Sequence, residues 1–195
     1  MKKTLSLLFV LVLLVSSVTA LAEGVDLPAF VLGMENTILT YDAQAAQPNE
    51  EEIRDMLAAA MKAPTGLNRQ PYWITVITDY EIQMELALTP EVKPTPGTVM
   101  FIYSHPSDQN ASGIDFGVSY AFLHVMAQAH GYGTHIFGQP ARMLAQTNDF
   151  AKYGIPDGYT PLEFVLVGKS DTVDATSAAT NYPREEKFNF LEVGK

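Results

Sequence analysis

The chain contains no cysteine. A disulfide framework is therefore excluded, as is any metal or redox centre built on thiolates. It holds a single tryptophan, no internal repeat and no low-complexity block. Basic residues are scarce, 12 Lys and Arg against 22 Asp and Glu, for a formal charge of −10. Such a surface repels nucleic acid and anionic lipid, so neither is expected as a partner. The four histidines, His105, His124, His130 and His135, include no pair three or four apart on a helix and no acidic residue at ligand spacing, which argues against a metal site. His124 reads as a packed or surface residue of its helix.

Long apolar runs are missing from all but the first residues, which read "MKKTLSLLFVLVLLVSSVTALAEG". Lys2 and Lys3, the run from Leu5 to Val15 and the small residues Ala20-Leu21-Ala22 form the pattern of a secretory signal peptide, residues 1–22, with cleavage after Ala22. An uncleaved anchor is the alternative reading, because Ser16 to Ala22 lengthens the apolar stretch. After cleavage, residues 23–195 form one domain with net charge −12 and no stable membrane insertion. The protein is expected outside the cytoplasm: extracellular, cell-surface or periplasmic.

Local signals give the element order. Asn49 before Glu50, Glu51 and Glu52 is a capped helix start, and Ile53, Met56, Leu57, Ala60 and Met61 fall on one face until Pro64. Strands are predicted over 72–78, 98–104 and 161–168, with a shorter one inside 131–138. Further helices are predicted over 80–88, from Ser112 to the stop at Gly131, and over 140–146. The result is a mixed α/β (α+β) domain, helices flanking one central sheet. The tail is polar and then carries Phe188, Phe190, Leu191 and Val193, apolar surface that needs something to cover it.

Candidate chemistry concentrates at "APTGLNRQPY", residues 63–72. A turn, a hydroxyl, two carboxamides and a cation meet at one helix-to-strand junction. Amides held in fixed orientation suit a ligand with donors and acceptors along one edge. A loop whose amides satisfy their own backbone is the other reading. "GVSYA" around Ser119 is no nucleophile elbow, since Ser119 lies inside a helix. "GYGTHIFG" is no dinucleotide fingerprint, since no helix starts at its glycines. The sequon Asn110-Ala111-Ser112 carries little information.

Three ordered matches resemble the nitroreductase family of FMN-dependent oxidoreductases. Ala63, Pro64, Thr65, Asn68, Gln70, Pro71, Tyr72 and Asp79 follow the pattern A-P-[ST]-x-x-N-x-Q-P-[aromatic] with its strand ending in Asp. Asp115-Phe116-Gly117 opens a helix closing in "AHGYGTHIFG", and "YGIPDGYTPLEFVLVGKS" is similar to a third family segment. The resemblance implies a homodimer with FMN at the subunit interface, reduced by NADH or NADPH and oxidised by a nitroaromatic, quinone or similar small acceptor. It implies that Asn68 and Gln70 face the flavin, that Thr65 and Gly66 shape the turn beside them, and that Gly133 and Thr134 line the pocket from the other side. The apolar tail would wrap the partner.

One departure is plain. Where the family grips the phosphate with arginines and a serine, this chain reads "ENTILTY", residues 35–41. Thr37 stands for the serine, but Glu35, Asn36 and Leu39 replace the cations. Arg69 and Arg184 are the compensating candidates. "VDATSAATNY", residues 173–182, is similar to the sequence at which a flavin transferase esterifies FMN to threonine, which makes Thr180 a candidate for covalent FMN. Two further readings stay open: a non-catalytic flavin- or ligand-binding protein on the same fold, and an electron carrier fed by membrane proteins. The proton donor is likewise open among Tyr41, Tyr132 and His135.

Overall fold

The computed structural model of the chain describes residues 26–171 together with Lys187, Phe188, Phe190 and Leu191. The signal segment, Thr180, Arg184 and most of the tail lie outside the described residues. Two units are distinguished, Met1–Met34 and Glu35–Lys195. In the first, helix α1 (Leu27–Gly33) starts where Asp26 Oδ1 accepts the Ala29 N–H at 3.1 Å and Pro28 occupies the first turn. The sequence reading had no helix there, although this cap and proline signal it.

The second unit carries the sheet. Its elements run α2 (Glu50–Met61), β1 (Trp73–Ile77), α3 (Tyr80–Leu86), β2 (Val99–Pro106), α4 (Gly113–Ala129), β3 (Gly133–Phe137), α5 (Gly138–Thr147) and β4 (Tyr159–Gly168). The caps anticipated from sequence are formed. Asn49 and Glu52 make a reciprocal capping box on α2, and Ser112 Oγ accepts the Asp115 N–H on α4. Helix α5 begins two residues before Pro140, because a proline in the first turn removes only an N–H that has no partner there.

The strands lie in the order β1-β2-β4-β3, every neighbouring pair antiparallel. Residues Val99 to Ser104 of central β2 are all buried. Alternation sends Val99, Phe101 and Tyr103, with Val165 and Val167 of β4, onto Ile53, Met56, Phe116 and Leu123 of α2 and α4. The opposite face sends Met100, Ile102, Phe164 and Leu166 onto Leu86, Ala141 and Leu144 of α3 and α5. Burial on both faces makes three layers, and each fully buried large side chain contributes roughly 1.5–3 kcal/mol. A register shift at Tyr103/Ser104 leaves Leu162 of β4 as the extra residue of a bulge beside Glu163. Among the described residues no helix is long and apolar enough to cross a membrane.

Candidate functional site

The junction 62–72 is tightly specified. After α2 ends, Thr65 Oγ accepts the Gln70 N–H at 3.0 Å, and the Thr65 carbonyl accepts the Asn68 N–H at 3.0 Å. Asp115 of α4 accepts the Gly66 N–H at 3.1 Å through Oδ1. Leu67, Asn68 and Gln70 all adopt left-handed backbone, with φ of 54°, 54° and 49°. Each such residue other than glycine costs about 1–3 kcal/mol, and Leu67, 84% exposed, gains no burial in return. The two carboxamides meet: Gln70 Nε2 donates to Asn68 Oδ1 at 3.2 Å. Both residues are exposed, and this bond leaves Asn68 Nδ2 as a donor and Gln70 Oε1 as an acceptor facing outward.

A second constellation is built at the far edge of the sheet. Thr37 Oγ donates to the Thr134 carbonyl at 2.9 Å, and the same carbonyl accepts the Ile38 N–H at 3.1 Å. His135 Nδ1 lies 2.7 Å from the Ile38 carbonyl, which only accepts, so Nδ1 carries a proton. The Thr134 side chain is fully buried. Its hydroxyl lies 2.7 Å from the Tyr120 hydroxyl and 2.8 Å from His124 Nδ1. His124 Nε2 lies 2.9 Å from the Glu35 carbonyl and must donate to it. In the neutral ring Nδ1 is then the acceptor, which fixes the chain Tyr120 O–H to Thr134 Oγ–H to His124. Burial holds the His124 imidazole below its usual range, against the opposing effect of the bond to Glu35, and burial pushes the Tyr120 phenol up. Gln128 accepts the Glu35 N–H at 3.2 Å. The segment that begins with Glu35 is thereby pinned to α4 and β3 from both sides.

Gly133 has a packing reason to be glycine. A Cβ there would collide with the buried side chain of Ile38, so its missing side chain makes room for packing. The three candidate proton donors separate clearly. Tyr41, fully enclosed, donates to the Leu166 carbonyl at 2.9 Å and is pushed well up by burial. Tyr132 donates to Glu52 at 2.9 Å and is pushed up to about 12 by burial and then by that carboxylate. Both tyrosine hydroxyls are thus committed, whereas His135 keeps its Nε2 without a bond among the described residues.

These two constellations are not brought together within one chain. The 65–70 loop leads into β1, while Thr37, Gly133 and Thr134 sit at β3, and β1 and β3 are opposite edges of the sheet. Three strand spacings, about 14 Å, separate those edges. Helix α4 runs between the two groups, with Asp115 at one end and His124 toward the other. It is apolar nearly all round. Phe116, Leu123 and Ala127 are buried inward, while Ile114, 80% exposed, Ala121 and Phe122, 40% exposed, point outward. Gly117 faces open space. Sequence reasoning missed His124, Tyr120, Gln128 and Asp115 as organisers; the spacing of Phe116, Tyr120 and His124, each four apart on α4, was the available signal.

No known family profile matches the chain, and no curated protein matches it. Solved structures do. A nitroreductase with bound FMN from Desulfitobacterium hafniense superposes with a TM-score of 0.65 at 19% identity, covering 83% of this chain and 96% of that one. A nitroreductase of B. subtilis gives 0.65 at 19%, over 85% of this chain and 75% of that one. An FMN-dependent nitroreductase of Clostridium difficile gives 0.61 at 19%, over 86% and 99%. The fold of this chain is the nitroreductase fold.

Proposed function

We propose that the protein is an exported, homodimeric, FMN-dependent oxidoreductase of nitroreductase type, passing electrons to a nitroaromatic, quinone or similar small acceptor. The observation that carries this reading is the pair of half-sites on opposite sheet edges, flanking a helix whose outer face is apolar and uncovered. A helix apolar all round belongs in an interior. A two-fold contact through α4 buries that face and sets the 65–70 loop of one copy against the Thr37 constellation of the other. The exposed aromatic tail residues Phe188 and Phe190 fit a segment that reaches across such a contact.

FMN supplies the reversible two-electron chemistry when bound. The free donor on Asn68 and acceptor on Gln70 match the alternating edge of its ring. Thr65 and Gly66 hold the loop, and Gly133 and Thr134 hold the facing segment. The phosphate end fits less well. Thr37 already spends its hydroxyl hydrogen on Thr134, and Glu35, Asn36 and Leu39 supply no cation. That mismatch favours FMN held as a phosphoester on Thr180, with Arg184 nearby in sequence, the ester removing one negative charge. It also favours the second reading, a flavin-carrying or ligand-binding protein that takes electrons from membrane proteins rather than from NADH or NADPH.

Mature protein from a host with a flavin transferase is expected to be yellow, dimeric and bleached by a reductant, with one FMN less water added at Thr180. Replacing Asn68 and Gln70 together with leucine is expected to release or blue-shift the flavin while leaving the fold intact. A preparation that stays colourless after incubation with FMN overturns the proposal.

A further inference from the structure

Between the 66–71 loop and the 109–115 turn lies a cavity of about 360 Å³. That volume is at the small end of the range for small-molecule sites. Leu67 and Pro71 give it apolar wall, while Arg69, Gln109, Asn110 and Asp115 give it polar groups. Apart from Asp115 in the first turn of α4, these residues lie outside the named helices and strands, and Arg69 is the informative one. Three other cations of this unit are committed. Arg54 pairs with Glu50, Lys152 with Glu85, and Lys169 donates to the carbonyls of His130 and Gly131. The Arg69 guanidinium makes no hydrogen bond or ion pair among the described residues, in a chain with 22 acidic residues. Among the described residues the side-chain amides of Gln109 and Asn110 are equally uncommitted. Asp115 is the one acid in the wall, and its Oδ1 is occupied by the Gly66 N–H.

Arg69 is also held in place. It sits between Asn68 and Gln70, both left-handed, in a loop closed by Thr65 and Asp115. A strained, cross-braced loop that ends by presenting an unpaired guanidinium into a cavity is costly to maintain for packing alone. The fork of a guanidinium matches the two oxygens of a carboxylate, and two carboxamides supply further N–H donors. Leu67 and Pro71 suit the face of an aromatic ring. The second oxygen of Asp115 discriminates between anions, since its charge opposes a phosphate dianion about twice as strongly as a carboxylate.

We propose that this cavity is a carboxylate-recognition subsite anchored by Arg69, so that the small acceptor is an aromatic compound bearing a carboxylate. The assignment of the ligand as an acceptor rests on the function proposed above; the binding itself does not.

The test is binding to the full mature chain, followed by NMR at the Arg69 Nε–H and the Leu67 and Asn110 amides, and by calorimetry. The probes are 4-nitrobenzoate, nitrobenzene and inorganic phosphate. 4-Nitrobenzoate is expected to shift those resonances and to bind about tenfold or more tightly than nitrobenzene, the worth of a charge-assisted pair. Arg69→Gln removes that preference, and Arg69→Lys keeps part of it, since the charge remains without the fork. Equal binding of the two aromatics, an unchanged preference in Arg69→Gln, or phosphate competing as well as 4-nitrobenzoate overturns the proposal. Because binding is read without turnover, a protein that prefers the carboxylate but reduces neither nitroaromatics nor quinones refutes the oxidoreductase reading and leaves this subsite standing.

Discussion

Substituting Gly133 by alanine tests the packing that supports the Thr37 constellation. A Cβ at this position would lie 2.7 Å from Ile38 Cδ1 and 2.9 Å from Ile38 Cγ1, and closer still to Cγ2. Ile38 is fully buried in the core and has no open space to swing into. Overpacking of this kind costs about 1–3 kcal/mol. For a domain of this size that is a fall in Tm of roughly 2–12 °C. Ile38→Ala alone is expected to cost about 2–5 kcal/mol by opening a cavity. In the double variant the new methyl group enters that cavity, so the combined loss should fall short of the sum by about 1–3 kcal/mol. Urea denaturation followed by circular dichroism on the four proteins closes the cycle. The same variants report on the site, because pushing Ile38 away draws its neighbour Thr37 off the Thr134 carbonyl. A Gly133→Ala protein of wild-type stability, or strictly additive losses, refutes the argument that this glycine exists for Ile38.

Thr134→Val removes the hydroxyl that joins Tyr120 to His124, leaving a buried donor and a buried acceptor unpaired; a loss of about 2–4 kcal/mol is expected in the same urea assay. Gly117→Leu fills open space on the outer face of α4, so monomer stability should be unchanged or rise by up to about 1 kcal/mol through helix propensity. Sedimentation should nonetheless show the dimer weakened, and an intact dimer places the contact elsewhere. Glu163 has an enclosed Oε2 without a hydrogen-bond partner among the described residues, and burial pushes its carboxyl up against the opposing pull of Arg142. Its folded form therefore holds the proton more tightly than the unfolded form, and stability falls as pH rises from the ordinary carboxyl value through the raised one. Glu163→Gln should consequently raise Tm relative to wild type at pH 7 and lose that advantage near pH 4.

Most helices were legible from local signals, although the cap of α1 at Asp26 was overlooked. Asn49, Asp79 and Ser112 each accept a backbone N–H of the first turn, a local event that needs no tertiary information. Strands β1, β2 and β4 were legible because runs of β-branched and aromatic residues have few other uses. Their lateral order was not, since the placing of β4 between β2 and β3 depends on side chains distant in sequence. The left-handed Leu67, Asn68 and Gln70 were hidden for a related reason. Only Asn among them tolerates that region readily, and their conformation is imposed by Thr65 and Asp115. His124 read as an ordinary helix residue, because its role appears only when β3 brings Thr134 alongside it. Gly133 was noticed as a glycine, but its packing against Ile38 was hidden because that contact joins segments far apart in sequence.

The arrangement of β1 and β3 on opposing edges has a kinetic corollary. If, as proposed, each flavin site is assembled from halves of two copies, an isolated polypeptide is expected to be inert, and in dilute solution the number of working sites should grow with the square of the amount of protein. On that proposal, encounter between copies would serve as the ignition step, and any factor that crowds or tethers them would set the rate of electron flow without touching the chemistry.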